Sequence, residues 1–186
     1  MQHHYAPNGL AEEDARKIAE IVQGRLTSAV DLALTLKHVH WNVVGPGFIG
    51  VHEMIDDQVE GVRAIGDELA ERIATLGGIP NGLPGFTVAS RGWDDYALGR
   101  GVVAAHLGAL DKVYDGVVGD FRAAIEEIDP IDKVTGDILV QHTAKLEMYQ
   151  WFVRAHLENT SGELPTTGEE TDLDAAAAAA TADPLA

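Results

Sequence analysis

Four residues on one helical stretch have the side-chain types and the spacing to bind a metal ion. In HEMIDDQVEGVRAIGDELAER, residues 52–72, His52 and Asp56 stand four apart, and so do Asp67 and Glu71. Residues four apart lie on one helix face, so each pair offers two donors to the same side. With His52 set at 0°, Asp56 falls at about 40°, Asp67 at about 60° and Glu71 at about 100°. All four therefore share one side of the cylinder. His52 and Asp67 are nevertheless separated by roughly 22 Å of helix axis, whereas ligands of one ion sit about 3–4 Å apart. One straight helix cannot close such a shell on itself.

A two-fold dimer closes it. If the helix packs antiparallel against its own copy, with the axis near residues 61 and 62, His52 and Asp56 of one chain face Asp67 and Glu71 of the other. The self-complementary interface then makes the contact twice, giving two equivalent sites per dimer interface, each built from two chains. Glu60 and Arg63 lie near the midpoint on the same face and are expected to pair across the axis. Imidazole with several carboxylates is a nitrogen and oxygen donor set suited to iron, manganese or zinc. An internal di-iron centre would instead need Glu-x-x-His motifs on two helices. No histidine of the bundle region has a glutamate three residues before it.

These residues need long helices to hold them. Four segments show helical periodicity and none shows sustained strand alternation. The first runs from about Leu10 to His40, with Ile18, Val22, Leu26, Ala29, Ala33 and Leu36 along one stripe. The second follows the VGPG turn at 44–47 and ends near Leu76, before Gly77 and Gly78. The third covers roughly Gly101 to Ile128, with Val103, Leu107, Leu110, Tyr114, Val117, Phe121 and Ile125 on one face. Pro130 breaks the chain. The fourth runs from Ile131 to about Leu157, through Val134, Ile138, Leu146 and Val153. The long connection between the second and third, in which WDDYAL reads as a short helix, predicts a crossover. That makes an all-α, ferritin-like four-helix bundle whose second and third helices run parallel.

The expected layout is an N-terminal arm at 1–9, the bundle at 10–158, and a mobile, acidic, alanine-rich tail at 159–186. His3 and His4 fall in the arm and are expected to be solvated. The chain has 186 residues, thirty acidic against thirteen Lys plus Arg, a net charge of −17, and no cysteine. Such a charge disfavours nucleic acid as a partner. No apolar run approaches the roughly 20 residues of a membrane span, and the N-terminus lacks a secretory pattern, so a cytoplasmic location is expected.

Residues 38–73, HVHWNVVGPGFIGVHEMIDDQVEGVRAIGDELAERI, closely resemble the signature of the Dps proteins, the DNA-protection-during-starvation mini-ferritins. HWN followed by G-x-x-F-x-x-x-H, with D-x-x-x-E-R downstream, carries the resemblance. It extends over about 10–158, including WDDY and the QWFVRAHLE end of the last helix. The resemblance implies a hollow homododecamer. It adds His40 to His52, Asp56, Asp67 and Glu71 as ligands of a ferroxidase site between chains. It makes Trp41 a quencher of one-electron oxidants, with packing as its alternative role, and leaves His38 structural.

The implied activity is oxidation of Fe(II), with hydrogen peroxide preferred to dioxygen, and storage of Fe(III) mineral against oxidative damage. Pores are implied near the start of the last helix, with Asp132 and Asp137, or Glu126 and Glu127, as candidate linings. Many such proteins grip DNA with basic tails. The arm before Arg16 has no Lys or Arg and the tail is acidic, so DNA binding is not expected. Two other functions are weighed. One is a DNA-compacting structural protein, located at the nucleoid. The other is a metal-dependent hydrolase of amide or ester conjugates using the same site, for which no H-E-x-x-H or G-x-S-x-G motif is present.

Overall fold

A computed structural model describes residues 9–182. Four long helices dominate: α1 (Glu12–Asn42), α2 (Phe48–Thr75), α4 (Val103–Ile128) and α5 (Lys133–Leu157). Two short helices, α3 (Pro84–Ser90) and α6 (Asp172–Ala182), complete the helical set among the described residues. Two-residue strands β1 (Val43–Val44) and β2 (Gly101–Val102) pair in parallel, Val43 against Gly101 and Val44 against Val102. They tie the end of α1 to the start of α4. No described helix is long and apolar enough to cross a membrane.

The chain divides into two compact units. One holds residues 9–33, 60–93 and 119–144; the other holds 34–59, 94–118 and 145–182. Along the chain α2 and α4 both pass from the second unit to the first, while α1 and α5 pass the other way. That is the traversal expected of a crossover bundle.

In the first unit the α1 residues Ile18, Val22, Leu26, Ala29 and Ala33 are all buried, as the sequence stripe predicts. The crossover is fixed to α1 by Asp31, whose two carboxylate oxygens accept from the Arg91 guanidinium (2.7 Å) and from Trp93 Nε1 (2.7 Å). WDDYAL takes no regular structure, and the short helix expected there lies instead at Pro84–Ser90. It is Pro84, at the first turn, that begins it. Gln23 clasps Asn81 in both directions, donating to its carbonyl (2.9 Å) and accepting its amide (2.8 Å). α2 ends as predicted at the two glycines, with Gly78 N–H on the Ile73 carbonyl and Gly77 N–H on that of Ala74.

The packed face of α5 differs from the expected one. Val134 is exposed and Ile138 half-buried, whereas Thr135, Leu139, His142, Thr143, Leu146, Gln150 and Val153 are buried. Polar members occupy this face because they find partners there: Thr143 donates to the Leu139 carbonyl (2.7 Å), and Gln150 to Asp111 (3.0 Å) and Asp115 (2.7 Å). The tail also differs. Its alanine run forms α6, with Ala175, Ala176 and Ala179 buried, where a mobile segment was expected. The arm at 1–9 lies, apart from Gly9, outside the described residues.

Asp132 starts α5 and is fully engaged. Its carboxylate accepts the Val134 and Thr135 amides (both 3.2 Å) and the Arg72 guanidinium (2.6 Å). Asp132, the first of the expected pore residues, thus caps a helix and pairs with Arg72. Glu126, Glu127 and Asp137 are exposed. Burial alone would raise the Asp132 carboxyl, but the hydrogen bonds from Thr135 and Arg72 outweigh it and hold it below the usual carboxylate range. The bonded carboxylate therefore stabilises the fold above the ordinary carboxylate pKa, and that contribution disappears as pH falls through the depressed native value. Asp132→Ala is expected to cost about 2–3 kcal/mol, from a lost cap and a stranded guanidinium. Urea unfolding at neutral pH measures the loss, and the gap between variant and wild type should shrink on acidification.

Candidate metal centre

The turn between α1 and α2 determines which of the candidate ligands meet. In VGPG, Gly45 (φ 97°) and Gly47 (φ 76°) adopt backbone conformations that side chains resist, and Phe48 N–H closes the turn on the Gly45 carbonyl. The reversal brings the last turn of α1 against the first turns of α2. His40 and His52 then stack, ring centroids 3.6 Å apart and planes 21° from parallel. Phe48 lies against the second ring, centroids 4.9 Å apart.

Each imidazole is clamped to the other's backbone. His40 Nδ1 donates to the His52 carbonyl (3.0 Å) and His52 Nδ1 donates to the His40 carbonyl (3.1 Å). A carbonyl can only accept, so each Nδ1 carries the hydrogen and each neutral ring keeps its lone pair on Nε2. Two backbone-held imidazoles with fixed tautomers are the arrangement a metal ligand requires. Each such bond is worth about 1 kcal/mol net, small for stability but enough to fix ring orientation.

Asp56 joins them, with Oδ1 3.5 Å from His40 Nδ1. The strongest partner of this carboxylate is Lys37 Nζ at 2.6 Å. The ammonium holds the Asp56 carboxyl below the usual range against the opposing effect of burial, with smaller help from His40 and His52. Lys37 also lies 5.9 Å above the Trp41 ring. Lys37 was missed from the sequence, although its place three before His40 puts it on the same face of α1. Its pairing with a half-exposed carboxylate is weak in water, so an arriving cation can displace it.

His40, His52, Asp56 and Trp41 all belong to the second unit, and the structure brings the first three together. Asp67 and Glu71 belong to the first unit, where both are exposed on α2, as are Glu60 and Arg63. Among the described residues no group of three or more His, Asp or Glu is placed to hold a metal ion by itself. His38 faces elsewhere and donates through Nε2 to the Leu98 carbonyl (2.8 Å), the structural role expected of it. Trp41 is 71% exposed, with Leu34 (58%) and Ile49 (61%) also in water, so an apolar surface flanks the imidazole pair.

The chain belongs to the ferritin-like family, matching the ferritin-like domain over residues 19–162. Within that family it is one of the Dps proteins. It is 55% identical over 168 residues to the DNA protection during starvation protein of Mycolicibacterium smegmatis, spanning 90% of this chain and 92% of that one. The solved structure of Mycobacterium smegmatis Dps superposes with a TM-score of 0.88 at 53% identity, covering 92% of this chain and 97% of the other. A protein called fine tangled pili major subunit, from Haemophilus ducreyi, is 47% identical over 161 residues, 87% of this chain and 85% of that one. The architecture is accordingly a ferritin-like helical bundle.

Replacing Lys37 isolates its effect on the centre. In Lys37→Met the Asp56 carboxyl should titrate closer to the ordinary aspartate range than in the wild type, followed by the carboxyl carbon resonance in an NMR pH series. An unchanged titration would mean that the ammonium does not govern this carboxylate.

Proposed function

We propose that this chain is an iron-detoxifying and iron-storing mini-ferritin that oxidises Fe(II), preferably with hydrogen peroxide, at sites shared between two subunits. The observation that carries the reading is the backbone-clamped His40–His52 pair beside Asp56. It supplies the nitrogen-rich half of a shell, and α2 carries the complementary carboxylates Asp67 and Glu71 on an exposed face. An antiparallel pairing of α2 with its copy unites the halves and covers the apolar surface around Trp41.

The roles divide by chemistry. Neutral imidazole Nε2 atoms and carboxylates bind Fe(II), the substrate, and the carboxylates favour the more highly charged Fe(III) product. Two Fe(II) ions give one electron each to a peroxide. Its O–O bond breaks, two protons are taken up, and two waters leave, so no hydroxyl radical is released. Trp41, next to His40, is the donor that intercepts a stray one-electron oxidant. Fe(III) then mineralises inside a hollow dodecamer, where inward acidic side chains of a −17 chain attract further Fe(II). The site of action on this reading is the cytoplasm.

Subunit mixing tests the shared site directly. His52→Ala and Asp67→Asn, each alone, should slow peroxide-driven Fe(II) oxidation at least ~10-fold. Co-assembled in equal amounts they should recover about one quarter of the wild-type rate, because half of the dimers are mixed and each mixed dimer rebuilds one of its two sites. A site within one chain would show no recovery, and wild-type rates in both variants would dismiss the centre.

The same reading makes iron, not DNA, the ligand. With no Lys or Arg in the tail and a net charge of −17, a duplex meets repulsion. A gel-shift assay at physiological salt should show free DNA at micromolar protein. Retardation there would restore nucleoid compaction as the function.

A further inference from the structure

The C-terminal segment reaches the neighbourhood of His40 through a chain of contacts, all within one compact unit. Helix α6 is seated on α4 at Gly108. A Cβ at that position would stand 2.4 Å from the Ala175 carbonyl oxygen and 2.7 Å from Ala179 Cβ, so only glycine admits this approach. The docked face is closed, with Ala175 fully buried and Ala179 1% exposed. Upstream, Thr166 is buried and donates to Asp111 Oδ2 (2.7 Å), while Arg154 Nε (2.6 Å) and Gln150 Nε2 (3.0 Å) hold the other oxygen of that carboxylate.

At its N-terminus α6 grips the crossover, Asp172 Oδ2 accepting the Ala97 amide at 3.1 Å. One residue on, the Leu98 carbonyl accepts from His38 on α1, and one residue back the Tyr96 hydroxyl and His106 Nδ1 share a hydrogen bond (3.0 Å). The Tyr96 ring meets His38 edge-on, centroids 5.9 Å apart. Asn42 Nδ2 donates to the His38 carbonyl (2.7 Å), and the Val43–Gly101 pairing ties the next residue to β2. His38, two residues before His40, is thus held by a crossover that α6 holds.

We propose that residues 159–182 are a brace for the imidazole half of the iron site, with Gly108 as the seat and Asp172 as the peg. Both are positioning residues: neither touches the ligands, and each acts through the crossover on the last turn of α1. The proposal rests on reading His40 and His52 as iron ligands.

Three full-length variants test it: Asp172→Ala, Asp172→Asn and Gly108→Ala. Asparagine keeps an oxygen that can accept the Ala97 amide, so it should behave as wild type, whereas alanine should not. Hydrogen exchange at residues 97–102 and 40–44 should quicken about tenfold in Asp172→Ala and Gly108→Ala, as local opening becomes easier. Half-saturation by Co(II), a probe that peroxide-free conditions leave unoxidised, should rise about threefold in the same two variants and not in Asp172→Asn. The brace is refuted if Gly108→Ala frees the α6 amides while residues 97–102, residues 40–44 and Co(II) binding stay as in wild type. Asp172→Ala provides the same decision should Gly108→Ala misfold. Failure of Co(II) to bind even the wild type would count against the iron reading, while the exchange data would still decide the brace.

Discussion

The mutual grip of His40 and His52 is the contact on which the rest of the site depends. Each ring is held by the other residue's carbonyl, so two helices separated by only a glycine-rich turn fix one another's side chains. One of the two carbonyls, that of His40, lies in the last turn of α1, where no intrahelical donor reaches it, so the His52 ring also satisfies a helix end. A single set of hydrogen bonds therefore finishes a helix, fixes two tautomers and aligns two donors.

Around that grip the structure adds restraint from several sequence distances. Nearby, Lys37 steadies Asp56 from within α1. Farther off, β1 pairs with β2 across almost sixty residues of chain. This strand pair is too short to count as a sheet, yet it sets where the crossover returns and where α4 begins. His40 and His52 belong to one compact unit, and Asp67 and Glu71 to the other.

Much of this was legible in the sequence because helical periodicity is a strong local signal. The α1 stripe, the glycine stop after α2 and the break at Pro130 all depend on local chemistry, and the structure has them. The i, i+4 arithmetic on α2 separates the His52–Asp56 pair from the Asp67–Glu71 pair by a distance that one straight helix cannot close. What escaped depended on distant partners. The packed face of α5 was misplaced in part because Thr135 and Gln150 look polar until Arg72 and Asp132 are seen to engage the one, and Asp111 and Asp115 the other. WDDYAL was read as helical because nothing local reveals that Asp31, sixty residues away, holds Arg91 and Trp93. The helix at Pro84 did carry a readable cue, proline in a first turn. Asp132 also carried one, with a threonine three residues later in the spacing of a cap. The docking of the alanine run followed from one glycine on a different helix, which no reading of the tail alone contains.

Leu34, Trp41 and Ile49 remain in water when the chain stands alone. Large apolar side chains clustered near one end of a helix pair are an unfavourable surface for a soluble monomer. On the proposed pairing, association removes that penalty, and the free energy of folding then includes a mass-action contribution. A denaturation midpoint for this protein is accordingly a function of how much of it is in the tube. Dilution and heat become two routes to the same collapse.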